Sequence, residues 1–343
     1  MATRAATWDY RDRFTDDFAR TYFRSFGNCV VSSIGVGTYL GDATDAADEN
    51  YHDAVVEAIE SGINVIDTAI NYRCQRSERV VGRALRDAAV DRDAVMVATK
   101  GGFVPFDGER PANPGRYVKE EYIESGLIDA DDLVRGRHCI APAFIDAQLD
   151  RSLSNLGLDQ IDLYYVHNPE TQLETNSKQE VYEALEAAFT RLENRAAEGD
   201  INHYGVATWD ALRVPADHEQ HLALPEIVER ARAAAETAGN AATHLRAVQL
   251  PFNVSMADAF TVGAHDTPDG TKSALWFAND AGIDVFTSAS IMQGRLAAGM
   301  PDAVAAKLDG DSMAQRAINF ARSGPGGTSS LVGMGSPAHV AEN

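Results

Sequence analysis

Four residues with different ionisable side chains stand at the ends of short apolar segments or just beyond them. Asp67 and Lys100 each close such a segment, His167 directly follows another, and Tyr72 lies five residues past Asp67 in a loop. In an α/β barrel the carboxyl ends of the parallel strands share one face, where active sites are built. We therefore expect a carboxylate, a phenol, an ammonium group and an imidazole to meet there and to equip a proton transfer.

Tyr72 is the candidate general acid of this group. A free phenol has a pKa of about 10, and a neighbouring ammonium group lowers that pKa by stabilising the phenolate. Lys100 would supply the ammonium group, Asp67 would keep it charged and oriented, and His167 would donate a second hydrogen bond to a substrate carbonyl. Taken singly, such residues are more commonly loop caps, surface groups or structural groups. Their joint placement on successive strand ends favours catalysis.

Strand-like and helix-like segments alternate along the chain, which indicates a parallel sheet with helices outside it. We predict a single-domain (β/α)8 TIM barrel, with residues 1–29 as a segment that packs under the barrel floor, including a short hairpin, and residues 30–343 as the barrel. The eight strands are expected at residues 34–36, 64–66, 95–99, 161–166, 202–206, 247–250, 283–287 and 329–332.

Several helix boundaries carry local signals. Ser177 and Glu180 have the spacing of a capping box, Gly157 is a helix stop, and Ser336 is an N-cap for the last helix. Ser77 is the expected N-cap of a helix over 78–89. Two connections, 101–142 and 209–225, are long enough to be functional or mobile. The first leaves the Lys100 strand end, so it is either a lid over the mouth or a surface excursion.

Composition restricts the classes of function. The net charge is −21, and only five of the 30 basic residues are lysines, so nucleic acid and anionic membrane are poor partners. The chain has no long apolar run and a polar beginning, which argues against a membrane span or signal peptide. Its three cysteines lack the spacing of a disulfide framework or zinc site. We expect a cytoplasmic protein without a metal.

Six motifs occur in an order that resembles the aldo-keto reductases. The resemblance runs from about residue 30 to the last residue. The motifs are Asp67-Thr-Ala-x-x-Tyr72, Thr99-Lys100, Leu156-Gly-Leu-Asp-x-Ile-Asp-Leu-Tyr164 before His167, Gly205-Val-Ala-Thr-Trp209, Val248-Gln-Leu-Pro-Phe-Asn253 and the closing segment 336–343.

The resemblance assigns the same catalytic roles to Asp67, Tyr72, Lys100 and His167. It also implies a nicotinamide dinucleotide across the barrel mouth, with NADP(H) favoured and NAD(H) possible. No Gly-x-Gly-x-x-Gly motif follows a strand, so a Rossmann site is not supported. By resemblance, the cofactor-binding positions are Thr208, Gln249, Ser288, Ile291, Gly294, Ser336, His339 and Asn343.

Three positions depart from the family pattern. Ser288 replaces an aromatic residue that usually stacks on the nicotinamide, Gly333 stands where many members have lysine, and His339 stands where they have arginine. An imidazole holds a 2′-phosphate by charge only when it is protonated, unlike a guanidinium group. The choice between NADPH and NADH therefore stays open.

The expected function is hydride transfer between a nicotinamide cofactor and a small carbonyl or alcohol substrate (an aldehyde, a ketone or a sugar). One alternative is a non-catalytic, NADP(H)-binding barrel that serves as a regulatory subunit. The other is a metal-dependent barrel aldolase or isomerase, which would require a cluster of His, Asp and Glu at the strand ends.

The acidic, lysine-poor composition resembles that of proteins from salt-loving microbes. Because like charges repel across a surface of net charge −21, and because molar salt shortens the Debye length to about 3 Å, we expect folding stability to rise with salt. Thermal melts from low to molar KCl should show an increasing midpoint. A flat or falling series would refute the prediction.

Overall fold

The computed structural model describes residues 1–343. The chain begins with helix α1 (Arg4–Asp12) and an antiparallel hairpin of β1 (Phe23–Phe26) and β2 (Cys29–Ser32). Eight parallel strands then alternate with helices. They are β3 (Ile34–Gly37), β4 (Val65–Asp67), β5 (Met96–Gly101), β6 (Ile161–His167), β7 (Ile201–Ala207), β8 (Leu245–Pro251), β11 (Asp284–Ser288) and β12 (Gly327–Gly333).

These eight strands close into one barrel in the order β11-β12-β3-β4-β5-β6-β7-β8, which confirms the predicted single-domain (β/α)8 fold. A second hairpin, β9 (His265–Thr267) with β10 (Gly270–Lys272), lies outside the barrel. The helices after α1 are α2 (Asp45–Glu60), α3 (Arg76–Asp87), α4 (Pro114–Val118), α5 (Pro142–Leu156), α6 (Lys178–Glu198), α7 (Leu224–Ala238), α8 (Asp258–Thr261), α9 (Ala274–Ala281), α10 (Arg295–Ala298), α11 (Asp302–Ala305), α12 (Met313–Arg322) and α13 (Pro337–Glu342).

Local chemistry explains several of these boundaries. Ser177 and Glu180 form the predicted capping box at the start of α6, and Gly157 ends α5 in the left-handed conformation, at φ 64°. The predicted cap at Ser77 is wrong. Helix α3 begins at Arg76, two residues before the predicted start, and follows Gln75 in a left-handed conformation. The Ser77 hydroxyl instead donates to the Thr38 carbonyl at 2.8 Å. A tertiary contact has replaced the local one.

The N-terminal hairpin packs against the barrel interior. Phe26, Cys29 and Val31 belong to the same buried cluster as inward side chains such as Met96 and Phe286. A larger cluster of 52 buried residues fills the space between the strands and the helices. The barrel interior is therefore a packed core.

Asp162 connects the beginning of the chain to the sheet. Its buried carboxylate accepts hydrogen bonds from the backbone nitrogen of Ala2, from Arg92 and from the backbone nitrogen of Val97. Cys29 and Cys139 are buried, and all three cysteines are free thiols. Every helix is too short or too polar to cross a bilayer.

Strand register brings the chemically interesting side chains to one face. Asp67 is level with Ala98 on the neighbouring strand, and Lys100 lies two residues further along that strand. His167 is level with Ala207, which is in turn level with Gln249. Four strand ends therefore contribute one polar residue each to the same end of the barrel.

Candidate active site

A buried ion pair forms the base of the site. The ammonium group of Lys100 donates to Asp67 Oδ1 at 2.6 Å and to the Thr68 carbonyl at 2.8 Å. Gln249 Nε2 donates to the other carboxylate oxygen of Asp67 at 2.8 Å. Both charged groups are almost completely shielded from solvent, so each depends on the other for its charge.

The electrostatics of the pair follow from burial and proximity. Burial by itself lowers the pKa of Lys100, but the carboxylate of Asp67 more than reverses this, so that the pKa lies above its ordinary value. Burial raises the pKa of Asp67, and this increase is opposed by Lys100 and Gln249. Lys100 is therefore a permanent cation at physiological pH.

Tyr72 lies directly over this cation. The Lys100 ammonium nitrogen is 4.9 Å from the centroid of the Tyr72 ring, and the ring of Tyr39 packs edge-on against Tyr72 at 5.0 Å. Burial raises the pKa of Tyr72, and the opposing effect of Lys100 does not cancel this increase. The expectation of a lowered phenol pKa was therefore wrong in its net direction, because it ignored desolvation.

His167 approaches Tyr72 from the next strand but one, with ring centroids 5.9 Å apart. Burial lowers the pKa of His167 far below its ordinary value, and the charge of Lys100 adds to this effect. Its Nδ1 is buried without a partner, which leaves Nε2 as the accessible ring nitrogen. A neutral ring with its proton on Nε2 avoids a buried, unpaired N–H group and directs a hydrogen-bond donor into the cavity.

His138 holds the backbone behind His167, a role that the sequence did not indicate. His138 Nε2 donates to the His167 carbonyl at 2.8 Å, and Gln172 Nε2 donates to His138 Nδ1 at 2.8 Å. Burial lowers the pKa of His138 to about 4, so the ring is neutral and its tautomer is fixed by these two bonds. Gly102 makes the contact possible, since a Cβ there would lie 2.9 Å from the His167 carbonyl oxygen and 3.1 Å from His138 Nε2.

Asp67, Tyr72 and His167 line a cavity of about 450 Å³ in the barrel mouth, and Lys100 lies behind Asp67, outside the wall. Among the proposed cofactor positions, Thr208, Gln249, Ser288 and Ile291 line this cavity. The Thr208 hydroxyl is buried and has no hydrogen-bond partner. The sites at Gly294, Ser336, His339 and Asn343 are not part of the cavity wall. Gly294 precedes α10, and the other three lie at the start or end of α13.

The two long connections each provide an aromatic residue. Phe103 is the one lining residue from 101–142; the rest of that segment folds beside the barrel around Ile128, Cys139 and Phe144. His138 and Cys139 therefore do not line the cavity. Trp209 lines it from the connection after β7. No group of three or more His, Cys, Asp or Glu side chains is arranged to hold a metal ion.

Comparison with known proteins identifies the class. The model of the aldo/keto reductase family matches residues 33–221, more than half of the chain. The protein belongs to this family. Its membership accounts for the order of the strand-end motifs and for their shared face.

Three curated relatives are similar over part of the chain. 2,5-Diketo-D-gluconic acid reductase B of Corynebacterium sp. is 34% identical over 161 residues, 46% of this chain and 42% of that protein. D-threo-aldose 1-dehydrogenase of Pseudomonas sp. is 32% identical over 181 residues, 52% and 50% of the two chains. NADH-specific methylglyoxal reductase of Escherichia coli is 30% identical over 187 residues, 53% and 50%. The chain spans about half the length of these curated relatives.

Solved structures share the fold over nearly the whole chain. An aldo/keto reductase from Klebsiella pneumoniae, in complex with NADP and acetate, has a TM-score of 0.60 and 19% identity, and the match covers 94% of this chain and 88% of that one. Glycerol dehydrogenase from Gluconobacter oxydans has a TM-score of 0.64 and 18% identity, with 94% and 89% covered. At these identities the likeness concerns architecture.

The contact between His138 and His167 leads to a prediction. His138→Phe keeps an aromatic ring beside Phe103 but leaves the His167 carbonyl buried and unpaired, which costs about 1–3 kcal/mol of folding free energy. For a reaction that uses His167, we expect kcat/KM to fall about 10-fold, which corresponds to a loss of about 1.4 kcal/mol in the positioning of this residue. Steady-state kinetics and thermal melts measure the two effects.

His265→Phe is the matched control. His265 is also fully buried, with Nε2 donating to the Leu212 carbonyl at 2.9 Å, but it lies away from the cavity. It should lose comparable stability and keep the kcat/KM of the wild type. Equal kinetic losses in the two variants would show that His138 acts only through overall stability.

Proposed function

We propose that this protein is an NAD(P)H-dependent oxidoreductase that reduces carbonyl compounds, or oxidises the corresponding alcohols, with Tyr72 as the general acid. The observation that carries the proposal is the packing of Tyr72 between the Lys100 ammonium group and the ring of His167 at the base of the cavity. This arrangement supports proton transfer to a carbonyl oxygen, which is the step that a neutral active-site phenol can serve.

The cavity wall is compatible with a nicotinamide cofactor. Gln249 uses its amide N–H on Asp67, so its carbonyl oxygen is available to a carboxamide donor. The orphaned hydroxyl of Thr208 offers a second polar contact at the same level, and Ser288 and Ile291 continue the wall. When bound, the cofactor supplies or accepts the hydride.

The residues of the chain supply the rest of the chemistry. His167 Nε2–H holds the substrate carbonyl oxygen, and Tyr72 transfers its phenolic proton to that oxygen as hydride reaches the carbonyl carbon. The C=O π bond becomes a C–H and an O–H bond, and Lys100 stabilises the phenolate that remains. Asp67 keeps Lys100 charged and oriented toward the ring.

NADP(H) is the favoured cofactor, with NAD(H) as the alternative. The Klebsiella structure with the same fold contains NADP, whereas the Escherichia coli relative is named as NADH-specific. The adenine end of the cofactor would be bound around Gly333, Ser336 and His339. We place the reaction in the cytoplasm, where small carbonyl compounds would be its substrates.

Removing the proposed acid tests the mechanism. Tyr72→Phe deletes one hydroxyl group and should lower kcat by about 10²-fold or more, the effect of losing a positioned general acid. Lys100→Met should lower kcat as well, because burial then acts on the phenol without an opposing charge. Oxidation of NADPH and NADH, followed by absorbance with a panel of aldehydes, ketones and sugars, measures the rates.

Tyr117→Phe on α4 is the control, because this ring lies outside the cavity, and it should react like the wild type. Thermal melts and cofactor titrations show whether each variant is folded and binds cofactor. Turnover by Tyr72→Phe within a factor of about two of the wild type would be incompatible with any general-acid role.

The pKa directions also predict a pH profile. Reduction needs a protonated Tyr72, whose pKa lies above the ordinary value of about 10, and a neutral His167, whose pKa lies below about 6.5. Both states persist between those limits, so kcat/KM for reduction should be flat from about pH 7 to about pH 9. Alcohol oxidation needs the phenolate and should rise with pH over the same range. A reductive rate that falls with a midpoint below about pH 8.5 would contradict the assignment of Tyr72.

A further inference from the structure

The cavity offers no free positive charge to a substrate. Asp67 is the only one of its 21 lining residues with a formal charge at neutral pH, because burial keeps His167 neutral. The cation behind it, Lys100, is not part of the wall, and its ammonium group is engaged by Asp67 and by the Thr68 carbonyl. No arginine reaches the wall either.

Three aromatic side chains besides Tyr72, those of Tyr39, Phe103 and Trp209, line the same cavity among neutral polar residues. Tyr39 is 54% exposed and Trp209 is 41% exposed, so both rings present accessible aromatic surface at the mouth. Tyr39 follows β3 and Trp209 follows β7, and these strands are four positions apart in the eight-stranded barrel. The two rings therefore stand on opposite sides of the mouth, with Phe103 between them on the β5 side.

Trp209 is held in place by a buried carboxylate. Glu170 Oε1 accepts hydrogen bonds from the backbone nitrogens of Trp209 at 2.6 Å and Asp210 at 3.0 Å, and Glu170 itself is buried. Arg213 Nε donates to the Trp209 carbonyl at 2.8 Å. Three hydrogen bonds thus hold the backbone that carries this indole.

We propose that the site selects uncharged carbonyl compounds with an aromatic or other apolar substituent and rejects those that carry a carboxylate. A carboxylate entering this cavity would lose its hydration without gaining a cation, and the net charge of −21 would repel it during approach. A neutral ring would instead cover exposed aromatic surface. The inference rests on the proposed function and names its substrate class. It separates this chain from the relative named for an acid substrate.

A matched pair of aldehydes tests the inference. 4-Formylbenzoate and its methyl ester differ in charge, and their rates of reduction by borohydride correct for the difference in intrinsic reactivity. With NADPH, we expect kcat/KM for the ester to exceed that for the carboxylate at least about 30-fold at low salt. At about 1 M KCl, where long-range repulsion is screened, a preference of at least about 10-fold should remain. Corrected values within about two-fold of each other at high salt would overturn the proposal.

Two variants at one position separate charge from shape. Trp209→Lys places a cation at the rim and should reduce the preference for the ester at least about five-fold relative to the wild type. Trp209→Leu removes the ring without adding charge, so it should lower kcat/KM for both aldehydes and leave their ratio within about two-fold of the wild-type value. A ratio that shifts equally in both variants would refute charge selection.

A failure of charge selection can be distinguished from a failure of the proposed oxidoreductase function. If NADPH or NADH binds but no aldehyde, ketone or sugar of the panel is reduced, the oxidoreductase assignment fails. Charge selection is then tested by the dissociation constants of the two aldehydes. Each constant is obtained from the quenching of Trp209 fluorescence by the aldehyde, which is the part of the quenching that is present in the wild type and absent in Trp209→Leu. Binding of the ester at least about 10-fold tighter than the carboxylate would uphold selection by the cavity, and equal binding would overturn it.

Discussion

The buried pair of Asp67 and Lys100 is the interaction on which the rest of the site depends. Two charges withdrawn from water are stable only together, and removing one partner of such a pair typically costs about 3–5 kcal/mol. The 2.6 Å contact requires β4 and β5 to keep their register, because a slip of one residue would turn either side chain to the opposite face of the sheet. The closed barrel supplies that constraint.

Polar groups behind the cavity extend this constraint to the loops. His138 fixes the carbonyl of His167 from one long connection, and Glu170 fixes the backbone of Trp209 in another. Both groups are buried, so their hydrogen bonds are lost only at the cost of desolvated, unpaired atoms. The connection 101–142 therefore acts mainly as a support for the strand end that carries His167, and only Phe103 reaches the cavity from it.

The sequence predicted those features that follow from local patterns or from parallel strand order. The capping box at Ser177 is local, and Asp67, Lys100 and His167 share a face because any parallel barrel brings its strand ends together. Ser77 and His138 could not be assigned in this way. The partner of Ser77 is the Thr38 carbonyl, and His138 lies 29 residues from His167. Pairings of that kind depend on how a loop folds back, which residue spacing does not encode.

Most charged groups of this protein are exposed to water, whereas a few carboxylates, such as those of Asp67, Asp162 and Glu170, are buried. The excess of acidic residues lies mostly on the surface, where water and salt screen it, whereas the cavity wall contains one carboxylate that is already paired. The two regions therefore respond to different conditions. Dissolved ions act on the surface repulsion, but they have little access to a pair that is buried beneath Tyr72. Because burial raises the pKa of Tyr72 and lowers that of His167, the same exclusion of water that makes the ion pair necessary also keeps the phenol protonated and the imidazole neutral.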